Sequence, residues 1–349
     1  MEAIAVLGKH EILSWNAFVN ENEAGTIYHH DDWMRVINKT YGSYGQYVVV
    51  KDESGKITAG LPIFFVKNVL QNKISTVPCA QCCNPIVTTK EQFIKLLEAL
   101  NGIAAIKKNS FYEIKTNQNF NFHNFKDFTP QFCTFELSLE EDLDSLKSKF
   151  HKNCIRRPIN KTETNGLQIK VVKTEQGIRD FYNLYLRMRK ENGLLPQPFK
   201  FFLNLWLTFS ERQQIEVIHA EHQKKIIASI LLLKFKKTVI YEYGAIDRNM
   251  THLHPSHFLL WNAIKASQQG GYKIFDFGRT SIDNAGLMNF KERWGAKKVY
   301  LFYYYLPEIE RGNRIRDIGI AKKIMENVIS FSPTFLCEKL GTFVYKFLI

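Results

Sequence analysis

Twice along this 349-residue chain the hydrophobic pattern runs through the same series: helix, a meander of short strands, helix, strand. That order restricts the fold sharply. Strands joined by tight turns pair antiparallel, whereas a strand reached through a helix returns parallel to its predecessor. Each half therefore demands a mixed sheet with helices packed on it. In the first half, Asp31 and Asp32 can open a helix over 30–41 whose Trp33, Val36 and Ile37 share one face. Strands follow at 47–51 and 57–67 around the turn Glu53-Ser54-Gly55-Lys56, then a helix at 90–108 and a strand at 111–115. In the second half, helices at 175–192 and 198–212 precede strands at 215–220, 226–235 and 238–245. A helix at 256–269, closed by Gly270-Gly271, leads to a strand at 273–278. Between the halves lie a strand at 132–137 and a basic helix at 140–165 that Pro158 starts or breaks. The last strand is predicted at 298–305. The fold class is α/β (α+β): two lobes, 1–145 and 146–306, each a mixed, mostly antiparallel sheet flanked by helices, then a tail, 307–349.

Composition narrows the function classes. Lysine and arginine total 47 against 34 acidic residues, a net charge of +13. Such a surface favours polyanions: a nucleotide diphosphate, tRNA or an anionic membrane. Biased residue usage produces the same excess, so charge does not choose among them. Six cysteines, irregularly spaced, do not make a disulfide framework in a chain this long. No apolar run approaches the ~18 residues of a spanning helix. The opening residues have no signal-peptide pattern, so the expected location is the cytoplasm. The tail alternates cationic and apolar residues. It reads either as a helix packed back on the second lobe or as a basic amphipathic helix at the inner membrane face.

Three stretches carry a resemblance. The first is YHHDDWMRVINKTYG with AGLPIFFVK and STVPCAQCCNP. The second is LKSKFHKNCIRRPINKTETNGLQI with DFYNLYLRMRKENGLLPQPFKFF. The third is YEYGAIDRN, LHPSHFLLWNAIKASQQGGYKIFDFGR and GLMNFKERWGAKKVYLFYY. Together, over roughly residues 27–305, they resemble the FemAB-like group of the GNAT acetyltransferase superfamily, including its BioF2-like members. The resemblance implies two tandem GNAT-like lobes with the catalytic cleft mainly in the second. It implies transfer of an acyl or aminoacyl group from an activated ester or thioester onto an amine of a cell-wall or surface-glycan precursor. Nothing need be bound tightly: aminoacyl-tRNA or acyl-CoA would come as co-substrate. The acceptor would be an anionic small molecule or lipid-linked precursor, with tRNA and the membrane surface as further partners. The rivals are an acyl-CoA-dependent N-acyltransferase on an amino sugar, and a lobe pair without catalysis that binds an anionic lipid-linked glycan.

Aminolysis of an activated ester passes through an oxyanion, which a fixed cation stabilises. Read alone, Lys291 is a surface lysine beside Glu292. The resemblance, through the pair Phe290-Lys291, makes it the oxyanion cation. Asp276 alternates with Phe275 and Phe277 and so faces away from them. It either orients a cation, accepts the acceptor's proton, or forms a structural ion pair. Arg279 ends the same strand after Gly278 and can point into a cleft. Alternation places Tyr241 and Tyr243 on one face of their strand and Glu242, a candidate base, on the other. Tyr243 is a candidate substrate contact. Arg156, Arg157 and Arg189 fall in basic clusters that can hold a diphosphate or the end of tRNA, or simply face solvent. Trp33 is a candidate substrate contact. In nucleotide-sugar-binding relatives a basic residue follows this tryptophan, but Arg35 and Lys39 are out of register. Ordinary acetyl-CoA enzymes of the superfamily carry a glycine-bearing pyrophosphate turn after this second-lobe strand. Here the segment DRNMTHLHPSHF has no glycine, which argues against that donor mode. No metal is required: Cys79, Cys82 and Cys83 lack a second ligand pair, and His252, His254 and His257 surround a helix start.

Overall fold

The computed structural model describes residues 2–67, 72–106, 111–119, 130–306 and 329–348. The chain divides into two units. The first runs from Met1 to Phe132 and includes the last strand from Tyr300 on. The second comprises Cys133–Val299 and the C-terminal helix as far as Val344. The strand predicted at 132–137 thus belongs to the second unit from Cys133 on, whereas the expected boundary lay at 145.

In the first unit, β1 (Ala3–Val6), β2 (Tyr44–Lys51), β3 (Ile57–Lys67) and β4 (Asn72–Ser75) pair antiparallel in that order. β5 (Phe111–Thr116) lies parallel to β4, and the last strand of the chain pairs antiparallel with β5. The helices are α1 (Ile12–Glu21), α2 (Asp31–Tyr41) and α3 (Lys90–Ile106). α2 begins where the His30 side chain accepts from the Asp32 amide and stops at Gly42, which takes φ +72°. Its Trp33, Val36, Ile37 and Tyr41 are buried.

The second unit contains β6 (Phe132–Ser138), α4 (Leu143–Lys149), a π-helical turn (Lys152–Arg156) and α5 (Arg157–Thr162). It continues through β7 (Gln168–Val171), α6 (Glu175–Glu191), α7 (Phe199–Phe209), β8 (Ile215–His222), β9 (Lys225–Phe235) and β10 (Thr238–Ile246). A 3-10 turn (Arg248–Leu253), α8 (Pro255–Gln269), β11 (Ile274–Asp276), β12 (Thr280–Ser281) and α9 (Ala285–Glu292) follow. β13 (Lys297–Leu306) and α10 (Thr334–Leu348) complete the described chain. Of the tail expected at 307–349, residues 307–328 lie outside the described stretches. The basic segment at 140–165 is three short helical pieces, with Pro158 in the first turn of the last. β7 to β10 are antiparallel, β11 is parallel to β10, and β6 is antiparallel to β11.

Both units therefore follow one topology: strand, two helices, three strands, helix, parallel strand. In each, a sixth strand comes from outside that contiguous stretch. Below the second sheet lies an apolar cluster of Phe135, Ile218, Ile230, Leu259, Phe275, Phe277 and Trp294. The first unit has its own core of Val48, Leu61, Ile74, Leu96, Ile114 and Tyr304.

Candidate active site

The parallel β10–β11 ladder is short. It joins Thr238 to Ile274 and Ile240 to Asp276, whereas the β10–β9 ladder continues to Ile246. At the end of that parallel ladder the chain turns at Gly278, with φ +74°. A Cβ there would lie 2.4 Å from the Tyr241 carbonyl oxygen, so the turn packs directly on β10. Asp276 stabilises the turn: its Oδ1 accepts from the Gly278 amide at 2.8 Å and from the Thr134 hydroxyl of β6.

The Gly278 carbonyl faces Lys291. The ammonium of this α9 residue donates to it at 2.7 Å, and Lys291 is only 3% exposed. Among the described residues no other acceptor holds the ammonium. Burial pulls the Lys291 pKa down to about 8; the carboxylates of Asp276 and Glu242 oppose that pull. At neutral pH the buried amine is still mainly a cation, and one N–H is fixed on a backbone oxygen. The surface-lysine reading does not describe this residue.

A β-bulge re-aims β10. Tyr241 pairs with Leu232 and Tyr243 with the adjacent Leu231, leaving Glu242 as the extra residue. The bulge overturns the expected alternation. Tyr241 packs on the core with Leu232, while Tyr243 goes to the opposite face, edge-on to Phe202 at 5.1 Å and Tyr185 at 6.1 Å. Asp276 does face away from Phe275 and Phe277, both of which lie in the core cluster.

The other predicted residues are dispersed. Phe290 is half-buried against His257 and Trp294. Arg279 is exposed just beyond the turn. Arg156 is half-buried on the π-turn, its Nε without a hydrogen-bond partner, and Arg157 is exposed. Arg189 braces the chain between α6 and α7, where its Nε and Nη2 both donate to the Leu195 carbonyl, at 3.1 and 2.7 Å. Trp33 belongs to the other unit. It is fully buried, and its indole N–H donates to the Pro78 carbonyl at 3.2 Å, so it offers a ligand no polar atom.

Three residues around Lys291 and Asp276 escaped sequence reasoning: Cys133, Thr134 and Glu136. All lie on β6, more than 130 positions before Lys291, with no local motif. Glu136 stands directly opposite Asp276. Burial first, and then Asp276, raises its carboxyl pKa. His257 is a framework residue. His257 Nε2 lies 3.0 Å from the Cys154 carbonyl, and burial pulls its pKa down to about 4. Among the described residues no three His, Cys, Asp or Glu side chains gather as a metal site.

Residues 149–292 match the family model of the GNAT acetyltransferase domain. No curated protein sequence matches the chain. Among solved structures it is similar to FemX, with a TM-score of 0.68 at 15% identity over 91% of this chain and all of that one. It is also similar to a tandem GNAT protein of the clavulanic acid biosynthesis pathway, with a TM-score of 0.56 at 8% identity over 89% of this chain and all of that one. A third likeness is to L-PGS from Bacillus licheniformis, with a TM-score of 0.55 at 13% identity over 93% and 97% of the two chains. The domain match identifies a GNAT acetyltransferase domain, an acyltransferase module, within the second unit. The likenesses show the fold that FemX and the tandem GNAT protein share with this chain.

Proposed function

We propose that the second unit moves an acyl or aminoacyl group from an activated ester onto an amine of a cell-wall or surface-glycan precursor. The observation that carries this reading is the buried Lys291 ammonium, one N–H of which is anchored on the Gly278 carbonyl. The acceptor nitrogen attacks the ester carbonyl carbon and forms the C–N bond, and the carbonyl electrons move to oxygen. Lys291 stabilises that oxyanion. Collapse re-forms the carbonyl and breaks the C–O bond, while a carboxylate takes the proton from nitrogen and returns it to the departing alkoxide, so that the donor alcohol is released. Glu242, displaced at the bulge, and Asp276 are the carboxylates nearest in charge terms to Lys291. A positioned cation of this kind is worth roughly 10²–10³ in rate.

The strand-to-helix segment favours an ester over a CoA thioester as donor. The Asn249 amide donates to the Asp247 side chain at 3.0 Å, and the Met250 and His254 amides close the 3-10 turn. Amides that would face a pyrophosphate are thus engaged internally, beside a carboxylate. Purified protein given charged tRNAs or acyl-CoAs with amino-sugar and muropeptide acceptors is expected to add mass to one acceptor. Lys291→Ala should lose the product about 100-fold or more. Turnover unaffected by the substitution removes Lys291 from the mechanism. Turnover with acyl-CoA alone selects the N-acyltransferase reading.

No described helix is long and apolar enough to cross a membrane. α10 does pack back, as one sequence reading expected. Cys337 and Gly341 are buried, and a Cβ on Gly341 would lie 2.2 Å from the Pro196 carbonyl. The helix nevertheless leaves Phe335 and Phe343 63% and 64% exposed, beside the exposed Lys339 and Lys346. We read this face as a contact for an anionic lipid surface. Phe335→Ser/Phe343→Ser is expected to weaken co-sedimentation with phosphatidylglycerol vesicles by about tenfold or more, since each ring buries considerable apolar area on insertion. Equal sedimentation of both proteins would remove the contact.

A further inference from the structure

A cavity of about 250 Å³ opens within the first unit, between α2, β2 and the chain that links β1 to α1. Its walls are chiefly apolar: Leu7, Ile12, Met34 and Tyr44 contribute. Gly45 makes room for one of them. A Cβ on Gly45 would stand 2.6 Å from the Met34 methyl, so the thioether lies across the strand only because position 45 has no side chain. A flexible, polarisable wall of this sort adapts to apolar ligands of differing shape.

Charge around the cavity is one-sided. Lys9, Arg35 and Lys39 line it, against a single carboxylate, Asp31. That carboxylate is already satisfied: the buried Tyr47 hydroxyl donates to its Oδ1 at 3.0 Å, and Arg35 Nε lies 3.3 Å from its Oδ2. Arg35 pairs with Asp32 as well. Lys9 and Lys39 have no ion-pair partner among the described residues. The cavity therefore couples an apolar interior to two uncompensated ammonium groups, with its one acid neutralised at the base.

We propose that this cavity is a binding site for an amphipathic anion, a carboxylate carrying an apolar alkyl or aryl body. The body occupies the space beside Met34 and Tyr44, and the carboxylate meets Lys9 and Lys39. A cationic amphiphile is repelled by the same groups, and a neutral one gains the apolar contact alone. The site rests on residues of the first unit and is independent of the transfer reaction proposed for the second.

Isothermal titration of the full chain with octanoate, octanol and octylammonium tests the assignment. One octanoate per chain is expected, bound about tenfold more tightly than octylammonium, with octanol between them. Lys9→Glu/Lys39→Glu, two exposed positions that do not threaten folding, should weaken octanoate about tenfold and bring octylammonium level with it. Met34→Trp should fill the space and abolish binding of all three. The proposal is overturned if the three probes bind alike, if octanoate is unaffected by the double charge reversal, or if no saturable octanoate binding occurs.

Discussion

Lys291→Met is expected to abolish turnover and yet raise the free energy of unfolding at pH 7 by about 2 kcal/mol. The two effects have one cause. Burial lowers the Lys291 pKa from its ordinary 10.5 to about 8. A depressed lysine pKa means that the folded state holds the charge less willingly than the unfolded chain does. The difference is a penalty of about 3 kcal/mol while both states are protonated. Methionine has similar length and no charge. It removes the penalty but leaves the Gly278 carbonyl without its donor, a loss of about 1 kcal/mol. The gain should depend on pH. Below about pH 8 both states of the wild-type protein are protonated and the penalty stands in full. Between about 8 and 10.5 the folded state has released its proton while the unfolded chain retains it, so wild-type stability rises. Above that window the advantage of methionine is gone. Urea unfolding of both proteins at pH 7 and pH 10, beside a turnover assay, measures this directly. A variant less stable than wild type at pH 7 would mean that Lys291 serves the fold through Asp276, and its chemical role would lose its main support.

Gly278→Ala is expected to destabilise the protein by at least about 3 kcal/mol and to remove activity with it. Two terms add. The residue has φ +74°, where an L side chain is strained by about 1–2 kcal/mol. The new Cβ would also stand 2.4 Å from the Tyr241 carbonyl oxygen, a backbone atom that cannot turn aside. The control is Gly42, which has nearly the same φ, +72°, with no atom within 4 Å of its would-be Cβ. Gly42→Ala should cost about 1 kcal/mol, the conformational term by itself. The difference between the two variants in urea unfolding isolates the collision. Equal losses would show that β10 yields, and that the turn presenting Gly278 to Lys291 is not rigid.

The sequence by itself determined the elements and their order. The turn at Glu53-Ser54-Gly55-Lys56 and the apolar run after it located β3 over Ile57–Lys67, and Gly270-Gly271 ended α8 at Gln269. Local rules suffice where one side of a strand or helix is buried, because the apolar spacing then records the geometry directly. The helix–meander–helix–strand series, seen twice, was enough to give the mixed sheets. Shorter or weakly patterned pieces were not legible. β1 and β4 have four residues each, and α9 buries only Lys291, which contradicts the usual signature of a buried helix face.

Only the tertiary structure decided the site. The bulge at Glu242 is a matter of pairing with β9, so no reading of β10 alone could show that Tyr241 and Tyr243 part company. Thr134 and Asp276 are 142 positions apart, and β6 and β11 bring them together. The same holds for Lys291. In sequence it is one of many lysines, and a lysine's ordinary place is in water. Its depressed pKa and its fixed N–H arise from what α9 packs against, a property of through-space burial that no spacing of residues along the chain encodes.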